Sequence, residues 1–261
     1  MNHLTKKYAQ NVCYLEMNRP EKRNALNKEL MVQLTDYLKS TADSNQFRVL
    51  MISGSNHFFS AGADLAWMKE GREQNETQNL EDAELFNQLY RTLSEYPKPI
   101  IACVEGGAYG GAIGLLACAD IVTTTPDATF RFSETAIGLV PATVAPWVIR
   151  KTGSAFARSA LLSGLSFSGT EALSSGLVQY LFPKDKIVPK TREIANQIAR
   201  NSPEATKETK NLLNRIDHQF VPIDEDLTQY CSTKIARARI SDQGQEGVNA
   251  FFEKRKPSWN N

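Results

Sequence analysis

Residues 103–120 read CVEGGAYGGAIGLLACAD: an apolar approach, a glycine cluster, then a run of small apolar residues. The approach, Pro99-Ile100-Ile101-Ala102-Cys103-Val104, has the composition of a buried strand. Gly106, Gly107, Gly110 and Gly111 let the backbone turn tightly and approach a ligand with no Cβ in the way. The N–H groups that open the following helix lack intrahelical partners and are available to a negatively charged oxygen. HFFSAGADLAWM at 57–68 repeats this logic, with strand Val49-Leu50-Met51-Ile52 leading into the small-residue turn Ser60-Ala61-Gly62-Ala63-Asp64. Two such turns, each with free N–H groups, are the parts of a two-donor oxyanion hole.

Working outward, 261 residues suffice for one large domain, or a core with an appendage. With 41% hydrophobic and 23% charged residues the chain has the composition of a soluble globular protein with a sizeable core. Its charge is balanced, 30 − 29 = +1, so no global field favours nucleic acid or a membrane surface, and an anionic ligand must be met by local charges. Cys13, Cys103, Cys118 and Cys231 are far apart with no CxxC, which points to buried free thiols rather than a disulfide or metal framework. MNHLTKKYAQNV lacks the apolar stretch of a secretory signal, and the longest uncharged runs, Gly106–Ala119 and Thr135–Ile149, fall short of the ~18 residues of a membrane span. The expected location is cytoplasmic.

Residues 8–17 alternate loosely and predict an opening strand; NRPEKRNALN then turns, with Pro20 barring continuation. Leu26, Leu30, Leu34 and Leu38 recur every four residues and predict a helix over Asn27–Lys39. Residues 69–84, KEGREQNETQNLEDAE, are strongly polar and read as a mobile, solvent-facing segment. Leu85 to Leu93 carry a helix ending before Pro97, Ile121–Thr125 and Ala128–Phe132 are short strands, and Ser154–Ser163 is a helix stopped by Gly164. Ser168 and Glu171 make a capping box for a short helix ended by Gly176, and Ser202-Pro203-Glu204 is a helix start. From about Lys190 helices dominate. The class is therefore α/β, with a core over 1–190 and a helical region over 191–261.

Several chemistries are excluded. GGAYGGAIG lacks the G-x-G-x-x-G register, and neither a P-loop nor HExxH occurs. No G-x-S-x-G is present, and His3, His57 and His218 read as surface or turn residues. What remains is an oxyanion hole and carboxylates. Glu134, flanked by Phe130, Phe132, Ala136 and Ile137, has surroundings that raise its pKa and is the candidate general acid/base. Asp64 reads as a helix cap, and Glu105, at the mouth of the glycine turn, is a weaker candidate carboxylate.

FSAGADL at 59–65, VEGGAYGGAIGL at 104–115 and FRFSETAIGLVPA at 130–142 resemble the three signature segments of the crotonase (enoyl-CoA hydratase/isomerase) superfamily. NRPEKRNALN at 18–27 and EGVNAFFEKRKP at 246–257 resemble its first turn and its C-terminal helix. The resemblance covers essentially the whole chain. It implies a spiral of ββα repeats with a C-terminal helical trimerisation region, a homotrimer or homohexamer, and chemistry on an acyl-CoA thioester through its enolate. Coenzyme A would enter as part of the substrate, with no permanently bound cofactor, no metal and no nucleic-acid partner.

By the same resemblance the thioester oxygen lies between the N–H groups of Ala63 and Gly111, with Glu134 catalytic. Coenzyme A contacts are implied at Arg23, Ala25, Ala61, Ala63, Asp64, Leu65 and Gly111, with Lys254 reaching in from the C-terminal helix. Hydratases of the family usually carry a second glutamate on the helix after the glycine turn; that position is Gly114 here. AGADLAWMK and IGLVPATVAPWV resemble bacterial 3-methylglutaconyl-CoA hydratases of leucine catabolism, which points to hydration of such an enoyl-CoA. A Δ3,Δ2-enoyl-CoA isomerase using Glu134 alone is the alternative, and a non-catalytic acyl-CoA- or RNA-binding relative is another. Arg131, Arg150 and Lys151 are candidates, by charge and position, for a second substrate carboxylate.

Overall fold

The chain opens with a hairpin, not the single strand expected over 8–17. Strands β1 (Leu4–Ala9) and β2 (Val12–Met17) pair antiparallel across Gln10 and Asn11, whose φ values of 53° and 60° are the left-handed pair a type I′ turn requires. The structure, a computed structural model, describes residues 3–260; Met1 and Asn2 of the N-terminal stretch and the side chain of His218 lie outside what is described.

After β2 come α1 (Lys28–Thr41), β3 (Val49–Gly54), α2 (Leu65–Gly71), α3 (Glu76–Ser94), β4 (Ile100–Val104), β5 (Gly107–Tyr109), α4 (Gly111–Cys118), β6 (Ile121–Thr124) and β7 (Thr129–Arg131). Then follow α5 (Ala145–Thr152), α6 (Ser154–Ser163), β8 (Ser166–Ser168), α7 (Gly169–Ser174) and β9 (Tyr180–Leu181), and finally the helices α8 (Ile187–Ala199), α9 (Pro203–Phe220), α10 (Glu225–Ile240) and α11 (Asp242–Phe252). The main sheet has the order β1-β2-β3-β4-β6-β9, parallel from β2 onward; β5, β7 and β8 form a smaller second sheet. Repeated strand pairs crossing from one sheet to the other give the α/β crotonase-type architecture.

Asn27 caps α1 by accepting from the Leu30 N–H at 2.9 Å, and Leu30, Leu34 and Leu38 are fully buried, each contributing about 1.5–3 kcal/mol of apolar burial. The capping box at Ser168 and Glu171 forms, and Gly164 ends α6 in the left-handed region. The run 141–152, which has no clear periodicity in the sequence, carries α5, which buries Trp147 and Val148.

The larger correction concerns 69–84, expected to be a mobile polar segment. It is the end of α2 and the first half of α3, begun by a capping box between Asn75 and Gln78. Asn79, Asp82 and Ala83 share the inward face, and the polar pair can be buried because each finds partners. Asp82 accepts from Trp67 Nε1 at 2.7 Å and pairs with Lys28 at 2.7 Å; Asn79 Nδ2 donates to the Gly71 carbonyl at 3.1 Å.

The boundary drawn at 190 falls inside α8, whose Ile187, Ala195 and Ala199 cover Val12, Val49, Met51 and Ile101 of the main sheet. Helix α10 packs on α3, with Asn87 donating to Ser232 Oγ at 2.6 Å. Helix α11 lies so close to the turn 135–137 that a Cβ on Gly247 would stand 2.3 Å from the Ile137 carbonyl oxygen. Helices α10 and α11 also wall a cavity at the end of the sheets, through Ile235, Arg239, Val248 and Phe251. The four cysteines are buried and unpaired, and among the described residues no helix is long and apolar enough to cross a membrane.

Candidate active site

β3 and β4 are parallel neighbours, so the turns that follow them leave the same edge of the sheet. Ser60 N–H donates to the Gly107 carbonyl at 3.3 Å and Tyr109 N–H to the Ser60 carbonyl at 3.1 Å, which zips the two glycine turns together. They touch closely at Gly62, where φ is 84° and a Cβ would lie 2.6 Å from the Tyr109 carbonyl oxygen; only glycine meets both conditions. The N-terminal turn is stitched to the same place. Leu26 N–H donates to Gly62 O at 2.7 Å, Asp64 N–H to Leu26 O at 2.9 Å, and Ala61 N–H to Arg23 O at 2.9 Å.

This pattern uses the N–H groups of Ala61 and Asp64, and Gly62 N–H donates to Ser60 Oγ at 3.3 Å, whereas the Ala63 N–H has no acceptor among the described residues. The Gly111 N–H opens α4 after Gly110, whose φ is 49°, and as the first helical donor it has no intrahelical acceptor. Both residues line one cavity with Ala61, Gly62, Leu65, Gly110 and Glu134. A cavity of this kind, with two unpaired donors in its wall, suits an oxygen on which negative charge develops.

Glu134 enters from the turn after β7. The residue is half-buried, but its Oε2 is shielded from solvent and has no hydrogen-bond partner. Its Oε1 sits 3.0 Å from where a Cβ on Gly110 would be, so the carboxyl group lies against the start of α4. Burial pushes the Glu134 pKa up to about 7, partly offset by the backbone N–H groups of Ser133 and Glu134. A carboxyl poised there exchanges protons in either direction near neutral pH.

Asp64 is the cap of α2: Oδ1 accepts from Ala66 N–H at 2.8 Å, and Oδ2 pairs with Arg19 at 2.8 Å in a buried contact. Burial raises the Asp64 pKa, but the Arg19 hydrogen bond and the capping N–H outweigh it and leave the carboxyl below its usual range. Arg19 also donates to the Ala25 carbonyl, so it clamps the N-terminal turn to the oxyanion turn. Sequence reading did not single out Arg19; an arginine before Pro20 gives no local sign of burial.

Arg23 is exposed beside Phe58, its guanidinium 5.7 Å from the ring centre, and Ala25 is buried behind it. Leu65 is exposed at the cavity rim, and Lys254 is exposed just after α11. Glu105 is held by His57 at 2.8 Å and does not line the cavity. Arg131 donates to Gly164 O, Arg150 to Ser94 Oγ and Lys151 to Ala119 O, and none of the three lines the cavity, so the cations expected to meet a second carboxylate are engaged elsewhere. The cavity instead holds Arg72 and Arg239, which no sequence motif marked.

The spiral of paired sheets and the two-turn cavity with one carboxyl group define an enzyme of the crotonase type. The enoyl-CoA hydratase/isomerase family model matches residues 7–261, and the chain belongs to that family, as an enoyl-CoA hydratase-type enzyme of the crotonase superfamily. It is 34% identical to a 2,3-dehydroadipyl-CoA hydratase of Escherichia coli, over 99% of each chain. It is 31% identical to a mevalonyl-coenzyme A hydratase of Aspergillus fumigatus, over 95% of this chain and 91% of that one. Among solved structures it resembles an enoyl-CoA hydratase from Shewanella pealeana, with TM-score 0.80 and 33% identity over 99% of this chain and 96% of the other.

Proposed function

We propose that the protein hydrates a 2-enoyl-CoA thioester carrying a second carboxylate, 3-methylglutaconyl-CoA being the best candidate, with Glu134 as the sole acid/base. The observation that carries this reading is the Glu134 carboxyl, whose Oε2 has no hydrogen-bond partner, beside two turns with unpaired N–H groups. The thioester oxygen accepts from Ala63 and Gly111. Ionised Glu134 takes a proton from water, the water oxygen bonds to Cβ, and the double-bond electrons move onto the thioester oxygen as the enolate. Glu134 then returns the proton to Cα, which restores the base and leaves a 3-hydroxyacyl-CoA. Each oxyanion donor is worth about 2.7–4 kcal/mol in such a step.

Support for a dicarboxylic acyl group comes from the 3-methylglutaconyl-type segments at 61–69 and 137–148 and from the adipyl chain in the name of the bacterial relative. The product from 3-methylglutaconyl-CoA would belong to leucine catabolism. Coenzyme A would lie along Arg23, Ala25, Ala61, Asp64 and Leu65, through backbone groups where the side chain is engaged, as at Asp64, with Lys254 near its phosphates. Helix α9 exposes Leu212, Leu213, Ile216 and Phe220 along one face, which supports a trimer or hexamer built on the region 191–261.

The isomerase reading is favoured by one observation: position 114 is glycine, with no second carboxylate on α4. NMR in deuterated water with 3-methylglutaconyl-CoA, crotonyl-CoA and a 3-enoyl-CoA decides between them. A 3-hydroxyacyl product that is lost with Glu134→Gln supports the hydratase; double-bond migration without a hydroxyl product overturns it.

A further inference from the structure

The cavity that holds Glu134 also holds two arginines for which proton exchange and the oxyanion turns have no use: Arg72, just after α2, and Arg239, in the last turn of α10. Arg72 Nε is shielded from solvent and has no acceptor. The Arg239 side chain is 16% exposed; its Nη1 donates to Asn79 Oδ1 at 3.2 Å and stands 4.0 Å from Asp82. That carboxylate is already engaged by Lys28 and by Trp67, each at 2.7 Å. Burial pulls the Arg239 pKa down, with Asp82 opposing it. A shielded Arg72 Nε without an acceptor and a buried Arg239 whose carboxylate partner stands 4.0 Å away leave donors that an anionic ligand would satisfy.

The pair is held in place. Gln245 Nε2 donates to the Arg239 carbonyl at 2.7 Å and to the Arg72 carbonyl at 3.3 Å, so one side chain ties the two backbones together. Helix α3 supplies a ruler to the reacting end. Phe86 lies against Gly111, its ring carbon 2.7 Å from where a Cβ there would stand. Asn79, the partner of Arg239, precedes Phe86 by seven residues (86 − 79) on that helix, a rise of about 10 Å. An extended acyl chain of about five or six carbons, ending in a carboxylate and a charged hydrogen bond of about 2.8 Å, bridges such a span.

We propose that Arg239 and Arg72 bind a distal carboxylate on the acyl chain, so that the enzyme selects dicarboxylic over monocarboxylic CoA thioesters. The guanidinium fork matches a carboxylate in two parallel hydrogen bonds. The inference rests on the acyl-CoA reading of the cavity and adds to it the residues that read the far end of the chain.

Titration calorimetry with the unreactive thioesters glutaryl-CoA, adipyl-CoA and butyryl-CoA tests it without turnover. The expected result is that glutaryl- or adipyl-CoA binds at least about tenfold more tightly than butyryl-CoA, and that Arg239→Gln and Arg72→Gln each bring the ratio toward one. Arg72→Gln serves alone where loss of the Asn79 contact leaves Arg239→Gln unfolded. Equal affinity for all three thioesters overturns the carboxylate site, and with it the dicarboxylic part of the proposed substrate, and leaves the hydration of an acyl-CoA standing. A variant that weakens all three by one factor assigns the arginines to the CoA moiety or to folding and overturns the proposal. Failure of every thioester to bind overturns both readings.

Discussion

Tyr90 fills the space in front of Gly114: a Cβ at position 114 would stand 2.4 Å from the ring Cζ, and the Tyr90 hydroxyl donates to the Gly111 carbonyl at 2.6 Å. Tyr90 therefore occupies the space that a side chain at position 114 would need, the position where the family resemblance implies a second glutamate in two-carboxylate hydratases. Installing that glutamate is not expected to raise activity. Gly114→Glu overpacks the site by more than the usual 1–3 kcal/mol or so of a small-to-large core change, because a carboxyl is buried as well. The measurement is thermal unfolding with a turnover assay; a variant as stable as wild type and faster shows that α4 has room after all.

With Glu134 as the proposed acid/base, its pKa of about 7 should set the pH dependence of turnover. Because the ionised form takes the proton from water, kcat/KM rises with pH and reaches half its plateau at about pH 7. Glu134→Gln lowers it by about 10²–10⁴-fold and flattens the profile. A profile already flat from pH 5.5 to 8.5 in the wild type assigns the proton transfer to another group.

The same group acts on stability with a definite sign. Its folded pKa, about 7, lies above the ordinary 4.5, so the native state holds a proton that the unfolded chain releases, and stability falls as pH rises between these values. Glu134→Gln removes that loss. The variant should gain up to about 3 kcal/mol relative to wild type on going from pH 4.5 to pH 8. Urea unfolding at the two pH values checks this, and a pH-independent difference contradicts it.

Gly62 carries the contact between the two turns. Gly62→Ala sets a methyl group 2.6 Å from the Tyr109 carbonyl oxygen and strains a backbone at φ 84°. A shift of the Ala63 N–H follows, and activity should fall by about 10²–10³-fold, the usual effect of losing one oxyanion donor. Unfolding measurements should report a stability loss of about 1–3 kcal/mol. Wild-type kcat with Gly62→Ala would show that the two turns tolerate separation.

The Arg19–Asp64 pair is buried on both sides, so breaking it from one side strands a charge. Arg19→Ala and Asp64→Ala should each destabilise by about 3–5 kcal/mol. The double variant should cost less than the sum of the two. Asp64, with its lowered pKa, contributes stability above about pH 3.8 that disappears as pH falls through the folded pKa. Fully additive losses across the cycle would mean that the two groups do not interact.

How much was legible depended on whether the cause was local. The α1 stripe, the Ser168–Glu171 box, the Ser202 cap and the two glycine turns are set by residues within one turn of each other, and all appear as read. The raised pKa of Glu134 followed from its aromatic neighbours in the chain. The segment 69–84 was misread because polarity was equated with exposure; the Asn75–Gln78 capping box was the signal that could have corrected it. Nothing local marked Tyr90 as the residue opposite Gly114, or Arg239 as a neighbour of Arg72.

By itself, then, the sequence determined the α/β class, the family, the two small-residue turns and the carboxyl group between them, because glycine placement and strand hydrophobicity act over a few residues. The tertiary structure alone decided what surrounds that site. Tyr90 fills the space beside Gly114, Arg19 ties Asp64 to the N-terminal turn, and Arg72 and Arg239 share the cavity through Gln245. Those relationships join residues far apart in the chain, and packing of α3, α10 and α11 around the sheets brings them together. Burial and charge compensation are properties of that packing, and no window of sequence contains them.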